Sequence, residues 1–379
     1  MAITVVAAEP IEGKVKRDLA IVSSLGEHAV GNYVLVRVAD EAGHVGLGEA
    51  SVTAVWSGET QAGTIALVRE VLAPLVVGAD PFDVEWIWRR MERAAFGNSF
   101  ARAALEMALL DLQGQILKVP AWKLLGGRDR PAAGDLGLRL QYVLGSSERG
   151  LRLKFVVGAV EAPLAAERAR SMVHKGWKAI KVKVGRDLAA DVTRLQAVRD
   201  AIGPGVFLSV DANGGYTVEQ AIAAARQFEK LDVALFEQPT RRGDHLAMAE
   251  VRQRSNIPVM ADESVFTARD VLDVIRHRAA DVLSLYPGKH GGLRETLVLA
   301  RMAEAAGILC TIGSNLEREV ATAAMAHVAA ASPNIVCERF PGDLIGPLYF
   351  ERPLTSAGLR YNADRLFVPD GPGLGVQLG

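Results

Sequence analysis

Ile180-Lys181-Val182-Lys183-Val184, Val206-Phe207-Leu208-Ser209-Val210-Asp211 and Val233-Ala234-Leu235-Phe236-Glu237 are three short runs of one kind. Each is almost continuously apolar, and a charged residue stands at or beside its carboxyl end. Such runs belong to a parallel sheet covered on its outer face, where both sides of every strand are buried. The same kind of run recurs at Lys154–Val157, Ile257–Met260, Val282–Leu285, Ile308–Ile312 and Asn334–Cys337. Between the runs lie segments rich in Ala, Arg and Glu, such as Glu161–Lys175, Val218–Lys230 and Leu293–Ala306. Strands alternating with helices in this way predict an α/β fold, a (β/α)8 (TIM-like) barrel over residues 129–350.

The strand ends sharpen the reading. Lys183, Asp211, Glu237, Asp262, Tyr286, Gly313 and Glu338 follow one another at gaps of 28, 26, 25, 24, 27 and 25 residues, each about one βα unit. A polar or special residue thus closes each successive strand. In barrels of this kind that rim carries the chemistry, and polar tips on apolar strands are costly unless they are used.

Residues 1–128 read differently. Val34–Val38 and Val45–Gly48 flank the turn Asp40-Glu41-Ala42-Gly43 as a hairpin, and helical segments follow near Thr60–Leu75, Asp83–Arg93 and Ser99–Leu117. This predicts an N-terminal α+β domain, joined to the barrel through Leu124-Leu125-Gly126-Gly127. Residues 351–379 are rich in turns and are expected to pack back on that first domain. Residues 134–152 form an extra stretch before the first barrel strand, with a possible strand at Leu138–Leu144.

Composition excludes several classes of function. With 43 Lys and Arg against 44 Asp and Glu, the net charge is −1, which offers no bulk attraction to nucleic acid or to an acidic membrane. Cys310 and Cys337 are the only cysteines, so no disulfide framework is expected and a reducing cytoplasm suits the chain. The amino terminus lacks the pattern of a signal peptide, and no apolar run reaches the ~18 residues of a membrane span.

Asp211, Glu237 and Asp262 end three consecutive strands. Neighbouring strands lie ~4.8 Å apart, so these tips can surround one ion. Three carboxylates that close repel one another unless a divalent cation neutralises them, and an all-oxygen set favours Mg²⁺ over zinc. Lys181 and Lys183 sit at i and i+2 and therefore share the inner face of their strand, while Val182 faces the helices. Two neighbouring ammonium groups disfavour each other's charge, which prepares one as a base.

The runs Lys181-Val182-Lys183, Asp211-Ala212-Asn213, Glu237-Gln238-Pro239 and Ala261-Asp262-Glu263-Ser264 resemble the enolase superfamily. The likeness is to its mandelate racemase/muconate lactonizing enzyme family, in the muconate lactonizing subgroup. It extends through Gly46-Leu47-Gly48-Glu49, Leu124–Gly127 and Pro372-Gly373-Leu374-Gly375. The resemblance implies a capping domain whose loops close over the barrel mouth, and Mg²⁺ held by Asp211, Glu237 and Asp262. It implies that Lys183 removes the proton next to a substrate carboxylate and that Lys181 tunes it and contacts that carboxylate. The shared step yields an enediolate. Asn213 and Glu263 would support the site from behind, and a homo-oligomer is expected.

One position departs from the pattern. The subgroup places a second lysine at the end of the sixth strand, five residues before a Gly-Gly pair. Here Gly291-Gly292 is preceded at that distance by Tyr286, and Lys289 follows in a turn made by Pro287 and Gly288. Either the turn swings Lys289 back, or the Tyr286 phenol has replaced the ammonium, and Glu263 should bond to whichever group is there. A racemase or epimerase, of an amino-acid derivative or dipeptide, needs bases on both faces of the carbon. A cycloisomerase, or a lyase that dehydrates its substrate, can manage with Lys183 and a cation or phenol opposite, and that is the expectation here. A metal-binding relative without catalysis is the alternative from another class. Substrate choice falls to the capping loops Ser23–Asn32, with His28, and Thr53–Gly58, with Trp56 and Ser57.

Overall fold

The computed structural model describes residues 1–127 and 150–379 apart from Ala20, Leu25 and Ala29. The first unit is built on a three-stranded antiparallel sheet. Strand β1 (Ile3–Lys14) pairs with β2 (Val30–Asp40), which pairs with β3 (Val45–Val52) as the expected hairpin. Helix α1 (Ser99–Leu117) lies across β2 and β3 and is buried nearly all round, which explains its lack of a polar face. The glycines of Gly46-Leu47-Gly48-Glu49 follow from that packing. A Cβ on Gly48 would fall 1.7 Å from the carbonyl oxygen of Ala104, so only glycine lets the strand approach the helix this closely.

Among the described residues of the second unit, seven parallel strands follow in sequential order. They are β4 (Phe155–Val157), β5 (Ala179–Lys183), β6 (Phe207–Asp211), β7 (Leu235–Glu237), β8 (Val259–Ala261), β9 (Val282–Leu285) and β10 (Leu309–Ile312). Between β9 and β10 runs helix α2 (Leu293–Ala305), and after β10 comes helix α3 (Glu319–Ala331). The run Asn334–Cys337 does not form an eighth regular strand. Ile335 makes a single parallel bridge to Cys310, the chain then turns, and Gly342 bridges to Leu153 beside β4. This irregular segment closes the ring into a TIM-like barrel. It also corrects the expected eighth tip. Glu338 falls in the turn and pairs with Arg365 at 2.5 Å, and Asp343 takes its place at the mouth.

The tail touches both units. Leu374 N–H donates to Asp111 Oδ1 of α1 at 2.7 Å, and Gly373 bridges to Pro120. Arg365 and Leu366 pair with Arg152 and Leu151. The stretch 134–152 is therefore described only at its end; Leu138–Leu144 lies outside the described residues. Cys310 and Cys337 are free and buried, and no helix among the described residues is long and apolar enough to cross a membrane.

Candidate active site

Strand register brings the expected residues together. Lys183 pairs with Asp211 in the β5–β6 ladder, and Asp211 with Glu237 in β6–β7. Glu237 pairs with Met260 of β8, so Asp262 lies two residues further along. Val182 is fully buried against the outer layer, as alternation requires. Lys183 Nζ donates to Asp211 Oδ2 at 2.5 Å and to Asn213 Oδ1 at 3.0 Å. Lys181 Nζ reaches Asp343 Oδ2 at 2.7 Å, Glu237 Oε2 at 3.1 Å and Asp211 Oδ2 at 3.4 Å. Burial alone would lower the Lys181 pKa, but the three carboxylates outweigh it and hold the group firmly charged.

Gln238, which sequence reasoning passed over, fixes two of the carboxylates relative to each other. Its backbone is in the left-handed region, at φ +36°, just where β7 ends. Its side-chain oxygen accepts from the N–H groups of Asp262 and Ser264 at 3.0 and 3.2 Å, and its amide donates to Thr240 O and Ser264 Oγ. Arg194, paired with Asp191, donates to the carbonyl of Lys183 and so holds the strand tip behind that lysine.

At the sixth strand the two alternatives separate. Residues Pro287–His290 form a single helical turn that carries Lys289 back into the barrel. Its ammonium uses all three protons, on Asp262 Oδ1 at 2.6 Å, Ser284 O at 2.7 Å and Asp262 O at 2.9 Å. Tyr286 is fully buried, its hydroxyl has no hydrogen-bond partner among the described residues, and its ring lies 5.8 Å from that of Trp56. Burial and the surrounding carboxylates, Asp262 foremost, push its pKa well up. Of the two, Lys289 is the one that brings an ammonium to the end of the sixth strand, against Asp262. Glu263 bonds to neither group; its Oε1 accepts from Asn213 Nδ2 at 2.8 Å. The reason is geometric: Lys289 is drawn down to the strand-end carbonyls and leaves Glu263 to the adjacent amide.

These tips form the floor of a cavity of about 420 Å³, roofed by the first unit. Trp56 lines it, packed against Phe266, Tyr286 and Phe100. Ser57 does not; its hydroxyl serves the local turn, accepting from Glu59 N–H. His28 pairs with Ile21 in a short ribbon, and its side chain lies outside the described residues. That ribbon is latched to the barrel by Ser24 Oγ, which donates to the carbonyls of Ala212 and Asn213. Neither Tyr286 nor Lys289 is among the lining residues.

All candidate metal ligands are carboxylate oxygens, and Glu237 is pushed up by burial and then by repulsion from Asp211, Asp343 and Asp262, with Lys181 opposing. Asp211 is held down by Lys183 and Lys181 against the effect of burial. The raised Glu237 marks the repulsion among crowded carboxylates that a divalent cation would relieve, and the all-oxygen donor set fits one. Among the described residues no three His, Cys, Asp or Glu side chains are grouped as a metal site as they stand, because Lys183, Lys181 and Lys289 engage the carboxylates instead.

The mandelate racemase/muconate lactonizing enzyme N-terminal domain is matched over residues 5–126 and the enolase C-terminal domain-like unit over 164–379. The chain belongs to the mandelate racemase/muconate lactonizing enzyme family of the enolase superfamily. It is an enzyme of this superfamily. It is 33% identical over 349 residues to the L-Ala-D/L-Glu epimerase of Bacillus subtilis, covering 90% of this chain and 88% of that one. To muconate cycloisomerase 1 of Rhodococcus opacus it is 33% identical over 348 residues, covering 91% and 88%. The dipeptide epimerase of Enterococcus faecalis V583, solved with Mg and L-Leu-L-Tyr, superposes with a TM-score of 0.90 at 30% identity, covering both chains completely.

Proposed function

We propose that this enzyme removes the proton next to a substrate carboxylate with Lys183, from one face, in the manner of a cycloisomerase or a lyase. The observation that carries the reading is the cavity floor. Lys181 and Lys183 line it, whereas the ammonium of Lys289 is spent on Asp262 and Ser284, and Tyr286 lies behind Trp56. A two-base exchange needs a second group in the cavity, and neither Tyr286 nor Lys289 is among the described residues that line it.

Asp211, Glu237 and Asp262 would hold Mg²⁺ through their oxygens. When bound, the ion supplies positive charge for the carboxylate as it takes on a second negative charge. Lys181, kept charged by Asp343, Glu237 and Asp211, faces the same carboxylate and adds to that stabilisation. Lys183 Nζ takes the proton, and Asn213 Oδ1 orients it for the transfer. Trp56 covers the reacting centre and keeps water from it. An epimerase is the second reading, favoured by the epimerases among the relatives.

The test is solvent deuterium exchange with the Mg²⁺-loaded protein and a panel of acid-sugar, muconate, amino-acid-derivative and dipeptide substrates. One-face chemistry incorporates deuterium with retained configuration or yields a lactone or dehydrated product. Inversion at the α-carbon would establish the epimerase instead. Lys183→Ala should abolish exchange, and near-normal activity in that variant would overturn the lysine-base mechanism.

A further inference from the structure

Leu316 stands just past the end of the seventh strand, β10, and lines the cavity. Its φ is +59°, in the left-handed region, where Cβ crowds the carbonyl oxygen that follows and leucine is rarely found. Such a conformation persists only where its surroundings over-determine it, and here contacts from both units do so. Leu316 N–H donates to Ser314 Oγ at 2.9 Å. Ser314 Oγ and Asn315 N–H donate in turn to the buried Glu317 carboxylate, at 2.5 and 2.9 Å. Asn315 Nδ2 reaches across to Ser51 O of β3 at 2.8 Å.

The Leu316 carbonyl is held by the first unit. Tyr33 Oη of β2 donates to it at 2.8 Å. The ring extends that far because Gly31, two residues before it on the same face of the strand, leaves it room. A Cβ on Gly31 would lie 2.2 Å from Tyr33 Oη. Burial, then the nearby Glu49 and Glu317, push the phenol well up, so it stays a donor. Tyr33 is buried and packs edge-on against Phe350, with ring centroids 5.7 Å apart, which fixes its orientation. A hydroxyl of the capping unit thus sets the backbone that aims a barrel side chain at the cavity.

We infer that Leu316 packs on an apolar substituent at or beyond the substrate α-carbon, and that Tyr33 is the positioning residue that holds it there. The inference rests on the proposed function, which puts the substrate carboxylate on the floor. In the ring Leu316 faces Asp211, since β6 is the third strand and β10 the seventh of eight positions. A substrate whose α-hydrogen points to Lys183, beside Asp211, turns its remaining substituents towards the far side of the mouth, where Leu316 stands.

The experiment is calorimetric titration of the Mg²⁺-loaded protein with 4-methylpentanoate and with propanoate. Both are achiral, carry one carboxylate and have α-hydrogens; they differ in apolar length. The longer acid should bind at least about tenfold more tightly. Leu316→Gly accepts the same φ and should lower the ratio of the two affinities by about fivefold. Tyr33→Phe keeps the ring against Phe350 and should lower the ratio by about threefold. Added to Leu316→Gly it should change the ratio no further, whereas a general loosening of the fold would weaken both acids alike in either background. Should Leu316→Gly fail to fold, Leu316→Asn tolerates the left-handed region and takes its place. The inference is wrong, while the proposed function stands, if the wild-type ratio is near one or if Leu316→Gly or Tyr33→Phe leaves it unchanged. It is equally wrong if the Tyr33→Phe effect persists in the Leu316→Gly background. If neither acid binds the wild type, the carboxylate floor itself is wrong and both readings fall.

Discussion

Replacing Lys289 by Met tests how the sixth strand has been rebuilt. The ammonium is fully buried, its partner carboxylate on Asp262 is almost so, and water screens neither. Methionine fills the same space and removes the charge along with three hydrogen bonds, to Asp262 Oδ1, Asp262 O and Ser284 O. Breaking a buried pair by deleting one partner costs about 3–5 kcal/mol, since the other charge is left uncompensated. For a chain of this length that corresponds to a fall of roughly 4–6 °C in melting temperature. The assay is thermal and urea unfolding of the wild type and the variant, without and with Mg²⁺. In the variant Mg²⁺ should recover part of the loss, because an ion on Asp262 replaces the missing positive charge. A loss below about 1 kcal/mol, the range of an exposed pair, would refute the burial argument. Equal losses with and without Mg²⁺ would refute the idea that Asp262 is the group left bare. Turnover should fall in Lys289→Met, whereas Tyr286→Phe, which removes a hydroxyl with no partner among the described residues, should be mild in both assays.

Other outcomes follow from the same contacts. Lys183→Arg should rescue little of the activity lost in Lys183→Ala, since a guanidinium stays protonated, as exchange kinetics will show. Glu237→Gln should weaken Mg²⁺ binding in calorimetry while leaving the circular dichroism spectrum intact. Trp56→Ala removes a buried ring packed on three others and should cost about 3–5 kcal/mol in urea unfolding. Light scattering should find a homo-oligomer.

The site was legible to the extent that it sits on regular strands. Lys181, Lys183, Asp211, Glu237 and Asp262 each lie at or beside the end of a strand whose neighbours are in simple register, so counting from tip to tip located them. The count failed where regularity failed. The eighth position is one bridge at Ile335, a turn and a second bridge at Gly342, so the spacing pointed to Glu338 and missed Asp343. Lys154 stands at the head of an apolar run, and a lysine between Leu153 and Phe155 is the sequence signal for a buried ammonium there. Strand β1 escaped notice because Pro10 and Gly13 interrupt its alternation. Pro10 is tolerated because β1 is the edge strand of its sheet. Gln238 was within a quoted motif, but its role depends on an inter-strand hydrogen bond that no local pattern encodes.

What remains is why the first unit stays seated on the mouth, and here the motifs with no catalytic role give the answer. Glu49 of β3 accepts from Arg318 and Ala321 N–H, at 2.6 and 3.1 Å, and so caps α3 from across the interface. Glu106 of α1 does the same for α2 at Leu293 and Arg294. Asp111 joins Leu47 N–H to Leu374 N–H, which ties the two glycine-rich motifs at opposite ends of the chain to one carboxylate. A buried acid at a helix amino terminus satisfies orphan donors and faces the positive end of the helix, yet pays for desolvation. Burial wins in Glu49, pushing it up from 4.5 to about 8 against the lowering by its two N–H donors. The sign follows: the folded state binds this proton more tightly than the unfolded chain. The stability it contributes is complete below about pH 4.5 and is lost as the pH rises towards 8. Glu106, pushed up to about 7, acts in the same direction. The unfolding free energy from urea titrations should therefore fall between pH 5 and 8.5, by an amount on the order of a few kcal/mol for the wild type. The fall should be smaller in Glu49→Gln, which keeps an acceptor for one N–H and cannot ionise. A Glu49→Gln profile as steep as that of the wild type would show that the clamp is charged in the folded state and that its hydrogen bonds, not burial, set its pKa.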